Sequence, residues 1–157
     1  MRDKWKPRRL LSHNYSTQGQ VMLKRFSVSL EEHLLERFDD YISRHGYSNR
    51  SEAVRDLIRT NLIHEEWEQD SEVVGVVTLV YDHHQARLQE RITEAQHDYY
   101  QLITSSTHVH MDHHNCLEVT IVKGNASKVR ALAERMIALR GVKSGNLTMS
   151  STGDGLH

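Results

Sequence analysis

The chain has one cysteine and one proline in 157 residues, and its net charge is only −1. A single cysteine excludes any disulfide within the chain and fits a reducing compartment. Near-balanced charge gives no overall footprint of a strongly basic nucleic-acid binder. Apolar runs are short: none approaches the roughly 20 residues a membrane-spanning helix needs. The basic opening residues Arg2, Lys4, Lys6, Arg8 and Arg9 are followed only by Leu10 and Leu11 before polar Ser12, which is no secretory signal. The expectation is a cytoplasmic protein with no membrane contact. Histidine, by contrast, is plentiful: there are 12, several of them clustered, which favours metal or proton chemistry.

Residues 1–21 are basic and polar, with Pro7 and Gly19 and no sustained periodicity, and read as a flexible arm. An arm that touches DNA phosphates is the sharper reading, and Met22 is an alternative start. From Lys24 to Leu30 the sequence alternates strictly. Phe26, Val28 and Leu30 face one way, and Arg25, Ser27 and Ser29 the other. Ser29 followed by Glu32 predicts a capping box and a helix carrying Leu34, Leu35, Phe38 and Ile42, with Gly46 ending it. Asn49 and Glu52 open a second helix with Ala53, Val54, Leu57, Ile58 and Leu62 as its stripe. One strand alone cannot satisfy its backbone or bury its face, so residues 22–65 call for a second copy of the chain.

Acidic residues from Glu65 to Glu72 suggest that the second helix ends there, with a linker at 66–72. Beyond it, β-branched 73–81 reads as a buried strand, and 84–97 as a helix with Leu88, Ile92 and Ala95. A strand at 102–111 and its hairpin partner at 117–122 follow. Gly124 and Asn125 start another helix, with Val129, Leu132, Met136 and Leu139 as its stripe and Gly141 as its stop, and 142–149 is a last strand. The order strand-helix-strand-strand-helix-strand predicts a ferredoxin-like domain over 73–150, so the chain as a whole is α+β. Residues 151–157 form a polar tail.

His108 and His110 are two apart on a predicted strand, so they share a face, roughly 6.5–7 Å apart along it. Asp112, His113, His114 and Asn115 read as the hairpin loop, which returns Cys116 beside His110. Two imidazoles and a thiol suit zinc, copper or nickel and not magnesium or calcium. His97, at the end of the preceding helix, is the leading candidate for a fourth ligand, in competition with His83, His84, His113 and His114. Glu118 shares the face of Cys116 and is placed to orient a ligand imidazole.

Residues 22–65, with Gly46-Tyr47-Ser48-Asn49-Arg50-Ser51-Glu52 as the most characteristic part, resemble the ribbon-helix-helix DNA-binding domain. A two-stranded ribbon fits the major groove, where Arg25, Ser27 and Ser29 meet base edges. The helix start at Ser48, Asn49 and Arg50 suits a phosphate. Residues 22–150 together resemble the nickel-responsive transcriptional regulators of bacteria. The matching motifs are Gly-Tyr-Ser-Asn-Arg-Ser-Glu-Ala at 46–53, Ala95-Gln96-His97, Thr107-His108-Val109-His110, Asn115-Cys116-Leu117-Glu118, Lys123-Gly124 and Arg140-Gly141-Val142. The resemblance implies an ACT-type regulatory domain and a square-planar nickel(II) site from His108, His110 and Cys116, with His97 supplied by another subunit. It also implies a homotetramer, a palindromic double-stranded operator, repression of nickel-uptake genes, and potassium held by Glu52 and Asp56 between the domains. Relatives with further histidines after His97 differ from this chain, which has Asp98-Tyr99-Tyr100.

Three other readings compete. A regulator of the same architecture could answer to copper, zinc or a small molecule. A zinc enzyme needs an open ligand position and a general base, and Glu118 sits in no hydrolase motif, so no enzyme is expected. A ribbon-helix-helix antitoxin would carry a disordered toxin-binding tail in place of a second folded domain.

Overall fold

The computed structural model describes residues 23–156; the arm at 1–21 and Met22 lie outside the described residues. Residues 23–31 carry no regular secondary structure and pair with no strand among the described residues. Leu23, Phe26 and Val28 are 81 %, 70 % and 65 % exposed, so the described residues leave most of the apolar side of the alternating segment uncovered. With one chain only, a strand assignment cannot arise there, because a strand exists through its neighbour's hydrogen bonds.

Helix α1 spans Glu32–His45 and ends where Gly46 takes φ 72°, with Tyr47 N–H returning to Ile42 O. The left-handed Gly46 is the predicted stop. The predicted capping box at its start does not form. Glu31 is the N-cap and makes no side-chain cap bond, so Ser29 lies two residues ahead of the helix boundary. At α2 (Arg50–Glu68) the forward half of such a box forms, Asn49 Oδ1 accepting Glu52 N–H at 2.9 Å, while the Glu52 carboxylate reaches back one residue past the cap to Ser48 N–H at 3.2 Å.

Helix α2 runs on through the acidic stretch to Glu68, further than composition suggested. The reason is Trp67, which is buried in the second half of the molecule. Its indole N–H donates to Ser150 O at 2.9 Å, and the Arg130 guanidinium lies 5.4 Å above its ring. Packing of one aromatic residue thus carries the helix past a run of like charges.

Four strands follow: β1 (Glu72–Asp82), β2 (Ile103–His110), β3 (Asn115–Asn125) and β4 (Val142–Ser150). They form one sheet in the order β2-β3-β1-β4 with antiparallel neighbours throughout. With α3 (Leu88–Asp98) between β1 and β2 and α4 (Ala126–Ile137) between β3 and β4, this is the expected βαββαβ arrangement. The buried face of β1 presents Val73, Val77, Leu79 and Tyr81, which pack with Ile92 of α3 and Val129, Leu132 and Met136 of α4. Gly145 on β4 lets α4 approach, since a Cβ there would sit 2.7 Å from Ile137. The opposite face carries Val76, Val80, Leu117, Val119 and Ile121, none fully buried.

Helix α3 begins at Leu88, not at 84. The Asp82 carboxylate accepts His84 N–H at 3.0 Å, and Arg87 adopts φ 63°, so 83–87 are held as turns. Gly124 and Asn125, predicted to open α4, complete β3, and Asn125 is at the same time the N-cap of α4. The α4 start is capped from outside the helix: Asp70 Oδ1 accepts Ser127 N–H at 2.7 Å, and Ser71 O accepts Ala126 N–H at 3.0 Å.

That bond to Ser127 N–H is the chief reason the Asp70 carboxyl lies below its ordinary 3.8, with the Ser127 side chain adding to it. A depressed folded pKa means the stabilisation is complete above 3.8 and is lost as pH falls through the lower folded value. Asp70→Ala is therefore expected to melt below the parent at neutral pH, with the gap closing in acid. A gap that stays constant on acidification would contradict this cap.

Candidate metal centre

Register places the candidate ligands. On the β2–β3 ladder His110 lies opposite Cys116 and His108 opposite Glu118, while on the β1–β3 ladder Tyr81 lies opposite Cys116. His108 and His110 share a face as their spacing required, with ring centroids 4.8 Å apart. His110 Nδ1 is 3.2 Å from Cys116 Sγ. His83, in the turn leaving β1, brings its Nδ1 to 3.3 Å from the same sulfur. The ligand atoms of His83, His110 and Cys116 all lie within 4.8 Å of one another. His83 was a competing candidate by sequence, and within one chain it is the imidazole that closes on the sulfur together with His110.

His108 is held by its surroundings. Its Nδ1 lies 3.2 Å from Glu118 Oε2 and 3.0 Å from the Tyr81 hydroxyl. A carboxylate only accepts, so the Nδ1 proton faces Glu118 and Nε2 is left as the bare donor. Glu118 is almost buried, and its other oxygen accepts from Ser106 Oγ at 2.7 Å and Gln96 Nε2 at 2.8 Å. Gln96 also donates to Thr120 Oγ1 at 3.2 Å. This network fixes the last turn of α3 against β2 and β3. Gln96 turns inward to Glu118, while its neighbour His97 is exposed, with the Tyr100 ring 6.4 Å from its own. His97 therefore joins no ligand cluster within its own chain among the described residues. The sequence marked Glu118 but not Gln96, Ser106, Thr120 or Tyr81, whose parts depend on register and helix phase.

The Cys116 sulfur is fully buried, and burial is the first cause that raises its pKa, followed by the charges of Asp112, Asp82 and Glu118. Without a cation it keeps its proton; a divalent ion among these donors reverses that preference. Burial likewise pushes Tyr81 up to about 12, with Glu118 and Cys116 adding to it, so Tyr81 remains a hydroxyl beside His108. Desolvation lowers His83, and the neighbouring His84 and His110 lower it further, which keeps it a neutral donor. Nitrogen and sulfur atoms at these separations fit a borderline or soft transition ion and exclude hard calcium or magnesium.

In the N-terminal half, Arg25, Ser27 and Ser29 are exposed. Arg50 forks onto Asp39 with both bonds at 2.7 Å, which ties α2 to α1. Ser48 donates through N–H and Oγ to Glu52, and Asn49 is the cap, so part of this helix start is already occupied. Asp56 accepts from the Tyr47 hydroxyl, which raises the Tyr47 pKa. Glu52 and Asp56 thus both lean on the 47–48 turn. Arg55 and Arg59 are both candidate counter-charges for this pair, and Arg59 donates instead to Leu156 O at 3.1 Å.

Residues 74–150 match the NikR C terminal nickel binding domain, and residues 24–65 match the ribbon-helix-helix protein, copG family. A Desulfotalea psychrophila protein is 58 % identical over 136 residues, covering 87 % of this chain and 100 % of its own length. A Thermococcus onnurineus protein is 52 % identical, covering 85 % of this chain and 97 % of its own length. A Geobacter sulfurreducens protein is also 52 % identical, covering 85 % of this chain and 96 % of its own length. All three are provisionally named nickel-responsive regulators. A solved structure of an uncharacterized Thermotoga maritima protein overlaps 50 % of this chain at 12 % identity and a TM-score of 0.46.

Proposed function

The chain belongs to the nickel-responsive regulator family, in which a ribbon-helix-helix DNA-binding domain precedes a nickel-binding domain, and from that premise we propose that it represses nickel-uptake genes when nickel is sufficient. It is a regulator and not an enzyme. No helix among the described residues is long and apolar enough to cross a membrane. His108, His110 and Cys116 hold nickel(II), and His97 of a second subunit completes the set in a homotetramer.

One observation carries the reading most: adjacent residues of α3 look in opposite directions. Gln96 is bonded inward to Glu118, the partner of His108, while His97 stands exposed at the helix end. A histidine so placed serves a neighbouring chain better than its own. The Gln96–Glu118 bond links that helix to the orientation of His108, so ordering α3 and ordering the ligand set are one event. Nickel(II), when bound, supplies a positive centre that joins donors of two subunits. Coupling of about 1–3 kcal/mol between this ordering and DNA binding gives roughly 5–150-fold tighter operator binding.

Two further features support assembly. The apolar side of residues 26–30 needs a second copy to make a ribbon, and two ribbons per tetramer suit a palindromic operator. The open sheet face with Val76, Val119 and Ile121 offers an apolar surface for tetramer contacts. Glu52 and Asp56, four apart on α2 and both exposed, repel unless a cation intervenes; potassium between the domains is part of the proposal. The test is a gel shift on the promoter of a nickel-uptake operon. Nickel should tighten binding at least several-fold, and equal binding with and without nickel would overturn the proposal.

A further inference from the structure

Helix α2 is fastened to the second half of the chain near its end and again further up. At its last turn the Trp67 indole N–H donates to Ser150 O, where β4 ends, and the Arg130 guanidinium covers the ring. About two turns earlier, Arg59 Nε donates to Leu156 O at 3.1 Å. Ile63 lies midway and packs, partly buried, against the core. Residues 59, 63 and 67 recur at four-residue spacing, so all three line one side of the helix. Glu66, on that side too, has one carboxylate oxygen shut off from solvent with no hydrogen-bond partner among the described residues. The joint is closed over this side.

The upper fastening belongs to the segment after β4. Beyond Ser150 the chain reverses through Gly153 and Gly155, which take φ 91° and 80°. Glycine adopts that left-handed region without steric cost. Gly153 N–H donates to Ser151 Oγ at 3.1 Å, Thr152 Oγ1 to Asp154 Oδ2 at 3.3 Å, and Leu156 N–H to Gly153 O at 3.4 Å. Fully extended, the stretch from Ser150 to Leu156 spans about 20 Å, whereas Arg59 and Trp67 are about 12 Å apart along the helix. The turns take up the difference and deliver Leu156 O to Arg59.

We propose that residues 151–156 are a clasp, which holds α2 against the metal-binding half and fixes the direction in which α2 carries the DNA-binding half. With the clasp open, α2 is anchored at its Trp67 end and swings about it. Arg50, at the far end, lies about 25 Å from Trp67 along the axis, so a tilt of about 10° displaces the helix start by about 4 Å. An exposed hydrogen bond adds little net stability, which suits a contact that opens and recloses. The consequence for DNA rests on the nickel-responsive regulator reading; the clasp itself does not.

The test uses the full chain with Trp5→Phe, which leaves Trp67 as its one tryptophan. Two variants open the clasp differently: deletion of 152–157, and Gly153→Val/Gly155→Val. A Cβ at either glycine meets nothing within 4 Å, so the double substitution strains the turns and touches no neighbour. Retained nickel–thiolate absorption and parent-like nickel affinity show that the metal-binding half is folded. Acrylamide quenching of Trp67 should rise about twofold or more in both variants, as local opening exposes the joint. The tightening of operator binding by nickel should shrink by about tenfold, toward the bottom of the range for such coupling. Parent-like quenching in both variants would overturn the clasp. Raised quenching with the full nickel effect on operator binding would overturn its hold on the direction of α2. If the parent itself shows no nickel effect on operator binding, the regulator reading fails, and the quenching result still decides the clasp.

Discussion

Cys116→Ala is expected to lower nickel affinity by more than about 100-fold and to remove the nickel effect on operator binding altogether. Loss of a partner one shell out from a metal costs roughly 10–100-fold. Cys116 is closer in: it is the only sulfur among the candidate ligands, and His83 and His110 both turn to it at 3.3 Å and 3.2 Å. At 1.4 kcal/mol per decade, 100-fold is about 2.8 kcal/mol, which exceeds the middle of the coupling range assigned to the nickel effect. The check is a metal-competition titration with a parallel gel shift. The fold should survive, since alanine removes one small buried atom and leaves the β3 ladder intact. Parent-like nickel affinity in this variant would mean that the donors lie elsewhere.

The second large effect belongs to the other end of the chain. Phe26→Asp should abolish specific operator binding while leaving nickel binding unchanged. Phe26, Val28 and Leu30 line one concavity with Leu35, Phe38, Val54 and Ile58 of the two N-terminal helices. Phe26 is 70 % exposed in the single chain and would be covered by a second copy. A carboxylate there must be buried without a partner when the ribbon forms, at a cost of several kcal/mol. Affinity should fall to the non-specific level, at least about 1,000-fold weaker. The measurements are footprinting for DNA and titration for nickel. Retained sequence-specific protection would show that the alternating segment is not a ribbon.

The two expected losses are separable because the two halves were legible for different reasons. Alternation at 24–30 exposed an incomplete unit, and that is a property of local pattern. Gly46 and the Asn49–Glu52 cap are also local, and both stand in the structure. The Ser29–Glu32 box had the same local form yet failed, because the helix starts two residues too late for Ser29 to cap it. Strand periodicity and hairpin return bring His110 to Cys116 and His108 beside His110, but His83 and not His108 joins them at the sulfur. Tyr81 and His83 needed the β1–β3 register, in which Tyr81 pairs with Cys116. That pairing joins residues 35 positions apart, which no local pattern encodes. Asp70 capping α4 across 57 positions was hidden for the same reason. The start of α3 was misread because the stretch from 84 to 87 has helical composition, while Asp82 and the left-handed Arg87 hold it as turns.

The central claim is that the nickel site is a joint between subunits, and one mixing experiment tests it. His97→Ala and Cys116→Ala variants are co-expressed with different tags, and the mixed tetramer is purified through both. Each variant alone should lack the nickel–thiolate absorption. In the mixture, His97 of a Cys116→Ala subunit can meet His108, His110 and Cys116 of a His97→Ala subunit, so the absorption and nickel-dependent operator binding should return in part. A mixed tetramer as silent as its parents would place all four ligands in one chain and contradict the account.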